Sequence, residues 1–398
     1  MKIRNILFAV TVTFVLIAVP AVQAQIRVTK AATDFTRNPT LTFNGISGSS
    51  GASAAMESFL RACGWFDVGG ANSDLEISGS LSGGTMNVVV KQNQAQVMSM
   101  QVPVSGSDYR SAAKRAVDAI LKKLFKIDGI CNSRIVFCGQ NGVGYKNIYI
   151  TDIDGKNVKK ITRFRSLCVE PEWFPDSNSI VYTKYNKSTT DIVQTMLSPR
   201  RSRRLASYPG TNAGASISPN GKYLALVMSK DRQVELYVKA VAGGAKRRLT
   251  HDNAVEASPC WSPGGGTICY VSDRTGRPQL YLISANGGKS KHLATVGGSS
   301  VTPAWSHNNE IVYATKYGPN YIIARIDLNG NRPSGPIVRA AGNWESPSWA
   351  PDNRHVVCSR TLGGKSSLWL IDTWTGKTRC LLQASTSLSM PAWSRNRP

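Results

Sequence analysis

The chain is 398 residues long and carries 48 Lys and Arg against 24 Asp and Glu, a net charge of +24 at pH 7. A field of that size favours anionic partners such as acidic proteins, lipid headgroups or cell-wall polymer. The basic residues are scattered, without a basic helix carrying interleaved aromatics, which argues against nucleic acid.

Lys2 and Arg4 precede an apolar run from Ile6 to Val19, then Pro20 and the small-residue site Val22-Gln23-Ala24. This pattern predicts a secretory signal peptide over residues 1–24, its apolar run too short to span a bilayer. No other segment is apolar enough for a membrane span. Residues 25–128 then read as a small α/β domain. Met56, Phe59, Leu60 and Cys63 recur at helical spacing within Ala52–Cys63, and Gly64 supplies a C-cap. Asp74–Ser80, Thr85–Lys91 and Gln94–Val102 read as strands, and Asn44 to Ser53 as a Gly/Ser-rich loop. Ser107-Asp108 can cap a long helix through Phe125, with Ala113, Val117, Ile120, Leu121 and Leu124 on one face.

Residues 129–398 are periodic. Trp173, Ile217, Trp261, Trp305, Trp349 and Trp393 are successive anchors, and 217−173, 261−217, 305−261, 349−305 and 393−349 each give 44. At that period, with β-type composition, the unit is a four-stranded propeller blade. Most anchors lead into a Pro turn (Phe174-Pro175-Asp176, Ser218-Pro219-Asn220, Ala350-Pro351-Asp352), followed by an apolar strand, a third strand, a Gly-bearing hairpin and a short basic strand. Ile135–Phe137, Asn147–Ile150 and Lys159–Thr162 form a set without its own anchor strand, while Trp393 is an anchor without a following set. Ring closure resolves both: Met390 to Ser394 becomes the innermost strand of blade 1, which removes an open edge. The expected fold class is therefore mainly β, a six-bladed β-propeller preceded by the small α/β domain.

Catalytic patterns are sparse. Counted from the preceding anchor, His251 lies at 34, His292 at 31, His307 at 2 and His355 at 6. Such different phases do not converge on the three or four ligands a metal needs, so no metal or cofactor is expected, nor an enzyme. No G-x-S-x-G elbow occurs. Gly287-Gly288-Lys289-Ser290 and Gly363-Gly364-Lys365-Ser366 imitate a phosphate loop but sit in strand-to-strand turns. Among the eight cysteines, Cys260 and Cys269 face each other across the Pro263–Gly266 turn, as a disulfide or as two packed thiols.

Several phrases carry a family resemblance. Phe59-Leu60-Arg61-Ala62-Cys63-Gly64-Trp65-Phe66, the helix Arg110 to Leu124, the junction Asn132-Ser133-Arg134-Ile135-Val136-Phe137, and Ser272-Asp273-Arg274-Thr275-Gly276-Arg277-Pro278-Gln279-Leu280-Tyr281 followed by Asn286-Gly287-Gly288 resemble the TolB family of the bacterial Tol-Pal system. The likeness covers nearly all of the chain beyond the signal peptide. The first strand beyond it is more polar than is usual in the family, and Arg200-Arg201-Ser202-Arg203-Arg204 replaces a familiar hairpin.

The resemblance implies a periplasmic protein-binding adaptor. Gln25, Ile26, Arg27, Val28, Thr29 and Lys30 would pair with a TolA-like inner-membrane protein as an extended strand. The propeller mouth would receive a Pal-like lipoprotein. The loops from each fourth strand to the next anchor strand should line that mouth, and they carry Glu170, Asn212, His251, Asp252, Asn253, Glu256 and Glu345. The competing reading of these acidic and amide groups is that they cap loop amides. The alternative function is a carbohydrate-active lyase, or a small-ligand binder using the channel.

Overall fold

A computed structural model describes residues 37–70, 73–140 and 144–395. The expected signal peptide and the strand Gln25–Lys30 lie outside the described residues.

The N-terminal region holds a five-stranded sheet in the order β2-β1-β3-β4-β5, formed by β1 (Thr40–Ser47), β2 (Asp67–Val68), β3 (Leu75–Ser82), β4 (Thr85–Gln92) and β5 (Ala95–Pro103). β1 runs parallel to β2 and β3, whereas β3-β4-β5 is an antiparallel meander. Helices α1 (Ser50–Ala62) and α2 (Tyr109–Phe125) pack against each other beside it. Ser49 caps α1 by accepting from the Ala52 N–H, and Asp108 caps α2 by accepting from the Ser111 N–H. The apolar stripe of α2 is buried as its periodicity requires, with Ala113, Val117, Ile120 and Leu121 fully covered. One reading is corrected: Asn44 to Ser53 is not a loop. β1 continues to Ser47 and α1 begins at Ser50. The polar Thr42 and Asn44 obscure the strand in the sequence, and they stay partly exposed while Leu41 and Ile46 are buried.

Six four-stranded sheets follow. Blade 1 runs outward from Leu388–Trp393 through Arg134–Gln140 and Lys146–Asp152 to Lys159–Lys160. Its inner strand comes from the C-terminal end of the chain, with Trp393 opposite Ile135 and Ala392 opposite Val136, as ring closure demands. The anchor tryptophans stitch neighbouring blades. The indole N–H groups of Trp173, Trp261 and Trp349 donate to the carbonyls of Ala392, Ser216 and Ala304, each on the inner strand of the preceding blade, at 3.0–3.1 Å. Cys260 and Cys269 stand opposite each other as the turn predicts, with both thiols free.

The outer strands are mostly two to five residues long, but that of blade 2 runs for seven, Arg200–Ala206.

Candidate functional site

The propeller has two unlike ends. One carries the turns after the anchors and the hairpins into each outer strand, and there the N-terminal domain docks. Arg110 of α2 bonds Asp152 and Asp154 at 2.8 Å, and Lys114 bonds Asp152 at 2.8 Å. On blade 6, the Trp65 indole N–H donates to Asp352 (3.0 Å), which also holds the His355 Nδ1 at 2.7 Å. The Arg354 guanidinium packs against the rings of both Trp65 and Trp374, at 4.4 and 4.6 Å, and pairs with Asp372. Gly64 is required here. Its φ is +72° and an added Cβ would meet the His355 ring at 2.5 Å. Burial alone would raise the Asp352 carboxyl, but attraction to His355 and the N–H groups of Arg354 and His355 overcome it and hold it at about 2.

The channel is built by a device repeated in every blade. Each inner strand contains one residue in the left-handed region three positions before its anchor: Glu170, Gly214, Ser258, Thr302, Ser346 and Met390, with φ between 46° and 60°. The ladder register shifts at each of these points. They are β-bulges, which bend the strand and re-aim its side chains. Proline follows in five of the six (Pro171, Pro259, Pro303, Pro347, Pro391), with Ala215 in blade 3. This Pro two residues before the anchor was the readable signal for the bulges.

Between the bulges and the anchors lies a cavity of about 240 Å³, whose polar lining includes Glu172, Ser216, His307 and Arg395. Arg395 bonds Glu172 at 3.0 Å. Desolvation raises the Glu172 carboxyl against the opposing pull of Arg395, while burial and the nearby Arg395 lower His307. Glu170 lines the same channel but spends its carboxylate on the Thr183 hydroxyl and the Gly214 N–H, both at 2.9 Å, stapling blade 2 to blade 3.

The other end is the mouth, and it divides the expected site residues into two layers. Asn212 is fully buried. Its side-chain oxygen accepts from the Tyr208 N–H (3.1 Å) and its amide donates to the Thr190 and Tyr208 carbonyls (2.9 and 2.8 Å). The Glu256 side chain is completely covered and bonds Arg274 at 2.9 Å. Burial raises its carboxyl to about 7, against the Ser272 hydroxyl and Arg274. The expectation that Asn212 and Glu256 present their side chains to a partner is therefore corrected: both hold the mouth loops together from within, because a buried polar group must find its partners inside the chain. Asp252 accepts from the Ala254 N–H (3.0 Å) and pairs with Arg274 (3.1 Å). His251 and Asn253 are exposed, and Glu345 is half-buried in the inner strand of blade 6.

Residues the sequence reading passed over complete the outer layer. Val255 is exposed in the same loop as His251. Tyr185, Tyr317 and Leu362 end second strands at this end, Tyr317 and Leu362 being 52% and 54% exposed. An apolar residue directly before a hairpin tip, as in Tyr317-Gly318 and Leu362-Gly363, was the sign that could have found them.

Among the described residues, one group of carboxylates comes close enough to consider a metal. Glu235, Asp252 and Glu256 place oxygens within 4.8 Å of one another. Arg248 already pairs with Glu235, and Arg274 with both Asp252 and Glu256. Two guanidiniums thus supply the positive charge a cation would bring, and the group reads as an internal brace of blades 3 and 4.

The fold defines the class: a six-bladed β-propeller with a small α/β domain docked on one end. Residues 121–397 match the profile of the TolB β-propeller domain, and the chain belongs to that family. Curated relatives include the Tol-Pal system protein TolB of Anaeromyxobacter dehalogenans, 29% identical over 200 residues, or 50% of this chain and 46% of the relative. That of Desulfosudis oleivorans is 29% identical over 192 residues, or 47% and 43%. The chain spans about half the length of the curated relatives it matches. Among solved structures, TolB from Acinetobacter baumannii superposes with a TM-score of 0.82 at 22% identity, covering 90% of this chain and 97% of that one. The nidogen/laminin complex shares the ring at a TM-score of 0.54 and 11% identity, covering 66% and 98%.

Proposed function

We propose that this chain is a periplasmic, non-enzymatic adaptor of a Tol-Pal system. It would link a TolA-like inner-membrane protein, through Gln25–Lys30, to a Pal-like lipoprotein at the propeller mouth, in support of outer-membrane integrity and constriction during division. Membership of the TolB family and relatives named as Tol-Pal system proteins support the role. The observation that carries the placement of the Pal-like partner is the outer layer of the mouth. His251, Asn253, Val255, Tyr317 and Leu362 stand exposed at the end the N-terminal domain leaves open. Exposed aromatic and apolar side chains among polar ones suit the centre of a protein interface.

Calorimetric titration with a soluble Pal domain and with a soluble periplasmic fragment of a TolA-like protein tests this reading. Removing Gln25 to Thr29 is expected to abolish TolA capture and leave Pal affinity intact. Loss of both together, or of neither, would overturn the assignment of two separate sites.

A further inference from the structure

The outer strands of neighbouring blades differ in what their cations do. In blade 3, Arg248 is neutralised by Glu235 and Arg247 donates to the Ala285 carbonyl. In blade 6, Arg379 is turned inward onto the Ala62 carbonyl of the N-terminal domain. Blades 1 and 2 are unlike these. Lys159, Arg163 and Arg165 of blade 1 and Arg200, Arg201, Arg203 and Arg204 of blade 2 are all exposed, and no salt bridge among the described residues reaches any of them. Their polar contacts are neutral: Arg203 donates to the Gln194 side chain at 2.7 Å, and Arg200 to the Ile161 carbonyl of blade 1. The latter bond ties the outer strand of blade 2 to the residue that follows the outer strand of blade 1.

The carboxylates of this stretch are spent elsewhere. Glu170 and Glu172 line the channel. Asp176 caps the turn before Ser179, and Asp191 accepts from the Ser207 hydroxyl.

Apolar side chains are interspersed with the cations. Val158 precedes Lys159, Phe164 lies between Arg163 and Arg165 with Lys184 4.3 Å above its ring, and Met196 stands opposite Arg201. They are three of the eight large hydrophobic residues that stand exposed among the described residues. Unneutralised cations with protruding apolar groups on a convex rim match a bilayer surface, where basic residues meet headgroup phosphates and apolar ones enter the interface.

We propose that the rim of blades 1 and 2, from their outer strands up to the mouth-side loop that carries Arg163, Phe164 and Arg165, is a docking surface for a bilayer rich in anionic phospholipid headgroups. The purified protein is expected to co-sediment with phosphatidylglycerol–phosphatidylethanolamine vesicles, not with phosphatidylcholine vesicles, and to be released by added salt. At roughly fivefold per basic residue near such a surface, Arg201→Glu with Arg203→Glu should weaken partitioning by about 25-fold or more. Phe164→Ser, which leaves the charge unchanged, should weaken it several-fold. Lys289→Glu with Lys291→Glu, the same charge change beside the outer strand of blade 4, should have a far smaller effect. Failure to bind the anionic vesicles overturns the proposal, as does equal loss in the two double variants, which would reduce the effect to net charge. Binding to DNA in solution without binding to vesicles would likewise overturn it. Should the double arginine variant fail to fold, Phe164→Ser decides.

Discussion

The two ends of the propeller use polar side chains in opposite ways. At the docked end, Arg354, Asp352, Asp372 and His355 are buried under Trp65 and Trp374, and their charges are consumed by one another. The apolar core runs without a break from α1 and α2 into blade 1 and blade 6, through Ile135, Phe137, Val357 and Leu370. At the mouth, a buried layer of Asn212 and Glu256 holds the loops while His251, Asn253, Tyr317 and Leu362 stand outside it. Substitution should therefore cost stability at the docked end and in the inner layer of the mouth. In the outer layer it should cost only binding.

The severest way to break this picture is to open the ring. Deleting Ser387 to Pro398 removes the inner strand of blade 1 and uncovers its apolar face, and aggregation or collapse of thermal stability is expected. A truncated chain that melts at the original midpoint as a monomer would show that closure is dispensable. Next in size is Trp65→Ala at the docked end. Losing a buried indole and its bond to Asp352 should cost about 3–5 kcal/mol, read as a lowered denaturant midpoint. A change as small as that of a surface residue would mean the domains are only loosely joined.

The pH dependence should differ between the ends, because a tenfold difference in proton affinity between the folded and unfolded chain is worth about 1.4 kcal/mol. The Asp352 carboxyl is depressed to about 2 from 3.8, so its contribution is present above the ordinary carboxylate range and is lost as pH falls towards 2. Glu256 is raised to about 7 from 4.5, so the folded protein binds the proton more tightly. Its contribution is greatest below pH 4.5 and declines as pH rises to 7. Glu256→Gln should remove that decline, an effect on the order of 1–3 kcal/mol, measured as melting midpoint against pH. An unchanged slope between pH 4.5 and 7 would place the titration elsewhere.

Much of the fold was readable because repeats announce themselves. Anchors 44 residues apart located every blade, and the orphan strands around Ile135 and Trp393 required closure. β1 was partly lost in a Gly/Ser loop because its parallel neighbours compensate for the polar Thr42 and Asn44, a tertiary effect no local pattern records. The site was less readable. The acidic and amide residues before the anchors stood out within a basic chain, but sequence alone does not separate a side chain that caps its own loop from one that meets a partner. Asn212 and Glu256 proved to be of the first kind. The exposed tips at Tyr317 and Leu362 were overlooked because each ends an otherwise buried apolar strand. The bulges were written in the recurring proline, which reads as a turn residue until the shifted register is seen.

Titration of a soluble Pal domain against two double variants is the most direct measurement. His251→Ala with Tyr317→Ser alters the outer layer of the mouth, and Arg201→Glu with Arg203→Glu alters the rim. The mouth variant is expected to lose about 2–4 kcal/mol of Pal affinity, the range of interface hot spots, with stability unchanged within about 0.5 kcal/mol. The rim variant is expected to bind Pal like the native chain. Full affinity in the mouth variant, or a large loss in the rim variant, would contradict the division between a structural end and a binding end.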